Sequence, residues 1–191
     1  IAEYATIYRY HDNKYKKKGN RMSYFPFFRE IEGEKCLVIG GGKVAARKIS
    51  RLKEFGVKIK VVAPSIVSDI EAMAQACDNI SVERRIITPQ DIENADFVIA
   101  AAGEEADKEA ARLCKERSIP VNVVDNQELC DFIFPSIIRK GDMVAGFVTG
   151  GKSPHVAAKI RRDCEMNISD NIEDILDYLA RIRKLAKDRI R

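Results

Sequence analysis

The sequence predicts an α/β protein: a parallel sheet wound with helices, then a small α+β unit, then a C-terminal helical segment. Three observations carry this reading. From Lys35 onward, short apolar runs alternate with stretches of helical spacing. The stretches between runs are long enough to cross over, which implies parallel strands joined with right-handed connections. After Asp125 the rhythm changes to two strand-like runs separated by a tight turn.

Each element has its own signal. Residues 35–40, KCLVIG, read as a buried strand. Residues 43–56 read as a helix with Val44, Ile49, Leu52 and Phe55 near helical spacing and Gly56 as its C-cap. Residues 58–64 form the second strand, 65–77 the second helix and 80–85 the third strand. The run 95–103, ADFVIAAAG, is a long buried fourth strand, followed by a helix at 104–118 and a fifth strand at 120–125. Residues 131–151 read as a hairpin turning at Lys140, Gly141 and Asp142. A helix follows at 153–166, with Ser153 as N-cap and Pro154 at the first helical position. A last helix runs from about Ser169 to Ile190.

Composition narrows the function. The 191 residues are 46% hydrophobic and 32% charged, and no apolar run approaches the roughly 20 residues a membrane span needs, so no membrane partner is expected. The net charge of +4 belongs to residues 1–21, where six Lys or Arg face Glu3 and Asp12; the remainder carries 27 basic and 27 acidic residues. A nucleic-acid partner is therefore not expected. Cys36, Cys77, Cys114, Cys130 and Cys164 are dispersed, without a C-x-x-C pair or a His at zinc-ligand spacing, which fits a cytoplasmic protein with neither a disulfide framework nor a metal site. His11 and His155 read as structural or incidental.

Residues 1–21 lack a signal-peptide apolar core, and protein-like patterning begins at Met22. Met22 is the expected natural start, with translated upstream sequence, a cloning remnant or a disordered basic tail as the open readings of what precedes it.

The strongest local signal is VIGGGKVAARK. Gly40, Gly41, Gly42, Lys43, Val44 and Ala45 follow a buried strand and open a helix, and the G-x-G-x-x-A spacing fits a dinucleotide fingerprint in a Rossmann-like domain. Gly40 is expected to allow the tight turn, Gly42 to let main chain approach a pyrophosphate, and Ala45 to keep the helix close to the sheet. Amides at Lys43 and Val44 would receive the phosphate charge. The acid usually found about 20 residues on is missing, since Val62, Ala63, Pro64 and Ser65 stand there. NAD and NADP thus both stay open, with Pro64 and Ser65 expected at the adenosine end and Ala101 and Ala102, near the end of the fourth strand, also lining the cofactor.

The blocks FPFFREIEGEKCLVIGGGKVAARK, VNVVDNQELCDFIFPSII and GGKSPHVAAKIR, spread from about Tyr24 to Arg162, closely resemble the precorrin-2 dehydrogenase and sirohydrochlorin ferrochelatase family, which includes the amino-terminal module of siroheme synthase and its stand-alone relatives. The resemblance implies NAD-dependent oxidation of precorrin-2 to sirohydrochlorin and, in several members, insertion of ferrous ion as a substrate. It implies that Asp125 is the essential carboxylate, a role that suits an acid at the carboxyl end of a parallel strand; capping of the next turn is the competing structural role. Thr149, Gly150, Gly151, Lys152 and Ser153, before a helix N-terminus, are expected to hold substrate carboxylates, with Arg161 and Arg162 nearby or simply solvated. No methyltransferase module follows in the sequence, so the chain is expected to receive precorrin-2 rather than make it. A homodimer is implied, through residues 126–166. The expected organisation is a leader at 1–21, an NAD-binding domain at 22–125, a dimerisation and substrate unit at 126–166 and a helix at 167–191. The competing class is a non-catalytic nucleotide-binding regulatory domain, which would need the glycine turn but not the other two blocks.

Overall fold

A computed structural model describes residues 24–190; the reading of residues 1–21 as a leader, with His11 and the start at Met22, lies outside them. Strands β1 (Lys35–Ile39), β2 (Lys58–Val62), β3 (Ile80–Glu83), β4 (Phe97–Ala100) and β5 (Val121–Val123) form one parallel sheet in the order β3-β2-β1-β4-β5. The α/β architecture is thus the one the sequence predicts. The order reverses between β1 and β4, and ligands of such sheets bind in the crevice outside the strand ends at that reversal.

Helices cover both faces, which is why the strands are almost continuously apolar. Helix α1 (Lys43–Leu52) and helix α2 (Ser68–Ala76) bury Ala45, Ala46, Ile49, Leu52 and Ile70 against Cys36, Val38, Ile59, Val61 and Ile99. On the opposite face, helix α3 (Pro89–Glu93) and helix α4 (Glu104–Glu116) supply Ile92, Ala110, Ala111, Leu113 and Cys114 against Leu37, Ile39, Val62 and Val98.

Several boundaries differ from the sequence pattern for local reasons. Helix α1 stops at Leu52 and tightens into a 3-10 turn over Lys53–Phe55 before Gly56, which adopts the expected left-handed cap. Val44 is only half-buried, while Ala45 and Ala46 take the core, because close helix–sheet packing favours the small side chains. Helix α2 begins at Ser68 rather than residue 65, since residues 65–67 pass against the glycine turn. The fourth and fifth strands are shorter than their apolar runs: the Ala101 and Val124 amides still bond Ile39 and Ala100 on the neighbouring strands, and after them the chain turns into loops. Helix α3 lies where no element was predicted. Its signal is the capping box at Thr88 and Asp91, with Pro89 at the first turn.

The hairpin pairs β6 (Ser136–Lys140) with β7 (Met143–Phe147), Lys140 opposite Met143, so Gly141 and Asp142 form the two-residue loop. Helix α5 (Pro154–Glu165) packs on this hairpin through Ala157 and Ile138, which are both buried. Helix α6 (Ile172–Ile190) follows, with its apolar stripe of Ile175, Leu176, Leu179, Ile182 and Leu185 exposed.

Candidate active site

The three glycines after β1 do three different things. At Gly40, φ is +114°, and an added Cβ would lie 2.2 Å from the Ala101 carbonyl oxygen, so the turn can press against the end of β4 only as glycine. At Gly41 a Cβ would lie 2.1 Å from the Ser65 carbonyl oxygen, and the Gly41 carbonyl accepts from the Val67 amide at 2.9 Å. The fingerprint spacing treats this position as variable, but here it is a packing position that brings residues 65–67 against the turn. Gly42 is the N-cap of α1, and a Cβ there would meet nothing within 4 Å.

Gly42 therefore faces open space. The first i→i−4 bond of α1 runs from the Ala46 amide to the Gly42 carbonyl at 3.0 Å, so the earlier first-turn amides of Lys43, Val44 and Ala45 have no partner within the helix. No side chain caps them and no acidic residue lies in the first turn. The corner is electropositive and bare, which fits a pyrophosphate.

The neighbouring loops complete the rim. Pro64 and Ser65 are exposed beside Gly41. Glu83 approaches the same strand end, with its carbonyl accepting from the Ala63 amide, but its carboxylate pairs with Lys60 and Arg85 and does not replace the missing ribose acid. Ala101 touches Gly40 through its carbonyl, whereas the Ala102 amide donates to Asp107 at 2.8 Å and is spent. Ala102 thus belongs to the rim without an amide to offer. Asp107, buried on α4, holds that loop; burial pushes its carboxyl up, against the pull of the Ala102 and Gly103 amides.

Across the reversal stands Asp125. It is exposed, makes no hydrogen bond among the described residues, and has a left-handed backbone with φ +59°. The loop after it is tied down by side chains that the motifs did not reveal. The Cys130 sulfur accepts from the Val123 amide at 3.1 Å, and its thiol lies 3.2 Å from the Val123 carbonyl. Buried Asn122 donates to the Phe132 carbonyl at 2.9 Å and accepts from Lys48 Nζ at 2.8 Å. Asn122 could have been noticed as a polar residue inside an apolar strand; Lys48 carries no sequence signal, since a lysine on a helix reads as solvated.

The segment before α5 reaches the same place. A Cβ on Gly151, whose φ is +75°, would lie 2.1 Å from Gln127 Oε1, two residues beyond Asp125. Thr149 Oγ1 donates to the Ser153 carbonyl at 2.9 Å and Ser153 Oγ accepts from the Val156 amide at 3.3 Å, so both hydroxyls shape the turn. Gly150 and the exposed Lys152 remain turned outward. Arg161 pairs with Glu165 on its own helix, and Arg162 and His155 are exposed.

Residues 27–136 match the family model described as "Putative NAD(P)-binding". The chain belongs to this NAD(P)-binding family. The matched part of this NAD(P)-binding chain contains the glycine turn, the rim residues and Asp125, and ends before Thr149. It is also 36% identical over 163 residues to siroheme synthase of Nitrosomonas eutropha, covering 85% of this chain and 34% of that protein. Against siroheme synthase of Thioalkalivibrio sulfidiphilus it is 39% identical over 145 residues, covering 75% and 29% respectively. The NAD(P)-binding chain thus spans about a third of the length of these curated relatives. Its fold is that of a solved structure described as SirC, precorrin-2 dehydrogenase, at a TM-score of 0.66 and 23% identity, covering 85% of this chain and 80% of that one. Among the described residues no helix is long and apolar enough to cross a membrane.

Proposed function

We propose that this chain oxidises precorrin-2 to sirohydrochlorin with NAD. The observation that carries the proposal is a bare amide corner at Gly42 after β1 and an exposed, unbonded Asp125 after β5, on the two sides of the sheet reversal, in a chain whose relatives are siroheme synthases.

Bound NAD would supply the hydride acceptor. Gly42 and the amides of Lys43, Val44 and Ala45 would hold its pyrophosphate, with Pro64 and Ser65 at the adenosine and Ala101 and Ala102 along the wall. Precorrin-2 loses one hydride and one proton, and Asp125 accepts the proton from the macrocycle as the hydride leaves. Gly150, Gly151 and Lys152 receive substrate carboxylates, on the turn that Thr149 and Ser153 shape. Ferrous ion insertion into sirohydrochlorin is a second proposed step, with Asp125 as the base that removes macrocycle protons. We place the activity in the cytoplasm, in keeping with five unpaired cysteines. We also propose a homodimer through residues 126–166, where Val148, Val156, Ile160 and Met166 are exposed.

Anaerobic incubation with precorrin-2 and either NAD or NADP, following sirohydrochlorin and reduced cofactor together, tests the reaction; a parallel arm with ferrous ion tests chelation. Asp125→Asn suits the left-handed backbone and removes only the charge, so it is expected to lower kcat by about 100-fold or more with cofactor affinity kept. Tight nucleotide binding by the native chain without turnover would favour the regulatory reading instead.

A further inference from the structure

We propose that Lys48 is a positioning residue for this reaction: it ties the helix behind the cofactor turn to the loop that carries Asp125. The inference rests on the precorrin-2 reading for its substrate, but its geometry stands apart from that reading.

Lysines on exposed helix faces keep their ammonium in water. On α1, Lys43 and Arg47 do so, whereas Lys48 turns inward to a half-buried position. Its Nζ donates to Asn122 Oδ1 at 2.8 Å and lies 4.4 Å from the centroid of the Phe134 ring. Asn122 is 6% exposed and uses both ends of its amide: the oxygen takes the ammonium from α1, and the nitrogen donates to the Phe132 carbonyl in the loop. One side-chain bridge therefore joins α1 to the segment running from Asp125 to Phe134. Since α1 rises about 1.5 Å per residue, the amides at its first turn and the attachment at Lys48 lie less than about two turns apart on one rigid rod. Seating a dinucleotide on that first turn and fixing the loop of Asp125 are then consequences of the same helix.

A methionine would fill this slot without dehydrating a charge, so packing alone does not account for the lysine. What the lysine adds is a positive charge on the Asn122 bridge, within electrostatic reach of Asp125. Five features set its protonation: burial pushes it below the ordinary lysine range, followed by Cys130, Arg47 on its own helix, Asp125 and Cys36 on β1. Arg47 acts in the same direction as burial, and the other three oppose it. Burial also pushes the Cys36 and Cys130 thiols up. The lysine is protonated at low pH and loses its charge as pH rises through its lowered value, so the bridge weakens on the alkaline side, below the ordinary 10.5.

The test compares wild type, Lys48→Met and Lys48→Arg in steady-state oxidation of precorrin-2 from pH 6 to 10, in NADH titrations, and in amide exchange over residues 123–134. Lys48→Met is expected to lower kcat about 10–100-fold, with NADH affinity within about threefold of wild type and loop exchange at least about tenfold faster. Lys48→Arg, which stays charged, is expected to restore most of kcat and slow exchange, and to lack the alkaline fall of wild type. The proposal is overturned if Lys48→Met keeps wild-type kcat and exchange, or if Lys48→Arg shows the same alkaline fall. Should Lys48→Met fail to fold, the pH profile of Lys48→Arg decides. If wild type does not oxidise precorrin-2 at all, the substrate reading fails, and the exchange comparison alone then decides whether Lys48 holds the loop.

Discussion

Gly42→Ala is expected to weaken dinucleotide binding while leaving the fold intact. The backbone there, φ −87° and ψ −179°, is open to any residue, and a Cβ meets no heavy atom within 4 Å. Alanine restricts the unfolded chain, which favours folding by about 0.4–1 kcal/mol. It is also a poorer helix cap than glycine, by a similar amount. The two offset, so Tm should move by less than about 3 °C. The new methyl, however, stands where a phosphate must approach the first-turn amides. A hydrogen bond to a charged group contributes about 1.5–3 kcal/mol, so lengthening one of them raises the NADH Kd roughly 10–100-fold. The neighbouring glycines behave oppositely. Gly41→Ala drives a Cβ to 2.1 Å from the Ser65 carbonyl oxygen, and Gly40→Ala drives one to 2.2 Å from that of Ala101 at a φ of +114°. Overpacking against main chain costs about 1–3 kcal/mol or more, and the forbidden φ adds about 1–3 at Gly40, so Tm should fall by about 5 °C or more. Calorimetry and NADH fluorescence titration on the three variants read both effects. Wild-type affinity in Gly42→Ala, or a loss of Tm there equal to that in Gly41→Ala, would refute the division of labour.

Three further outcomes follow from other contacts. Asp91 is buried, and Arg85, then the Thr88 amide, Lys60 and the Thr88 hydroxyl, hold its carboxyl well below the usual range; its stabilising effect is therefore present above its ordinary value of 3.8 and is lost as pH falls below it. Asp91→Asn should cost about 2–3 kcal/mol at pH 7 and flatten the fall of Tm below pH 4, both visible in thermal melts across pH. Asp107→Ala leaves the amides of Ala102 and Gly103 without their acceptor and should cost about 1 kcal/mol, with faster amide exchange at those two residues as its signature. Ile160→Asp, at an exposed position on α5, should leave the secondary structure unchanged by circular dichroism and convert the proposed dimer to a monomer by light scattering.

The parts of the fold legible in the sequence are those written as periodicity or obligatory glycine. The apolar runs of β1 and β4 announce a doubly covered sheet, and the Ser153–Pro154 pair marks the start of α5 where the structure has it. The glycine at position 40 also read through, because the tight corner against Ala101 at a φ of +114° leaves no choice of residue. What stayed hidden depends on partners distant along the chain. Nothing near Lys48 foretells that it turns inward, because the reason is Asn122, 74 residues away. Gly41 looked variable because its constraint is Ser65, and Ala102 looked available because Asp107 had not yet been brought to it. Helix α3 was missed although its capping box is local, since a helix of five residues shows too little periodicity to register.

The polar groups around the crevice divide by how they are used. Thr149, Ser153, Asp107 and Cys130 spend their side chains on nearby main chain, and Arg161 spends its own on Glu165. Their work is shape. Asp125, Lys152, Lys43 and the first-turn amides of α1 make no such bonds among the described residues and face outward. A buried polar group is satisfied by its own fold, whereas a site must keep some groups for a ligand, so the exposed set is where chemistry can occur. That set includes one acid, Asp125, and two electropositive patches, one at the start of α1 and one before α5. The packing of Gly151 on Gln127 holds the second patch against the loop that follows Asp125, and the Lys48–Asn122 bridge joins α1 to the same loop. In the proposed reaction, a cofactor pyrophosphate on the first patch and substrate carboxylates on the second would leave their reacting parts to meet at Asp125.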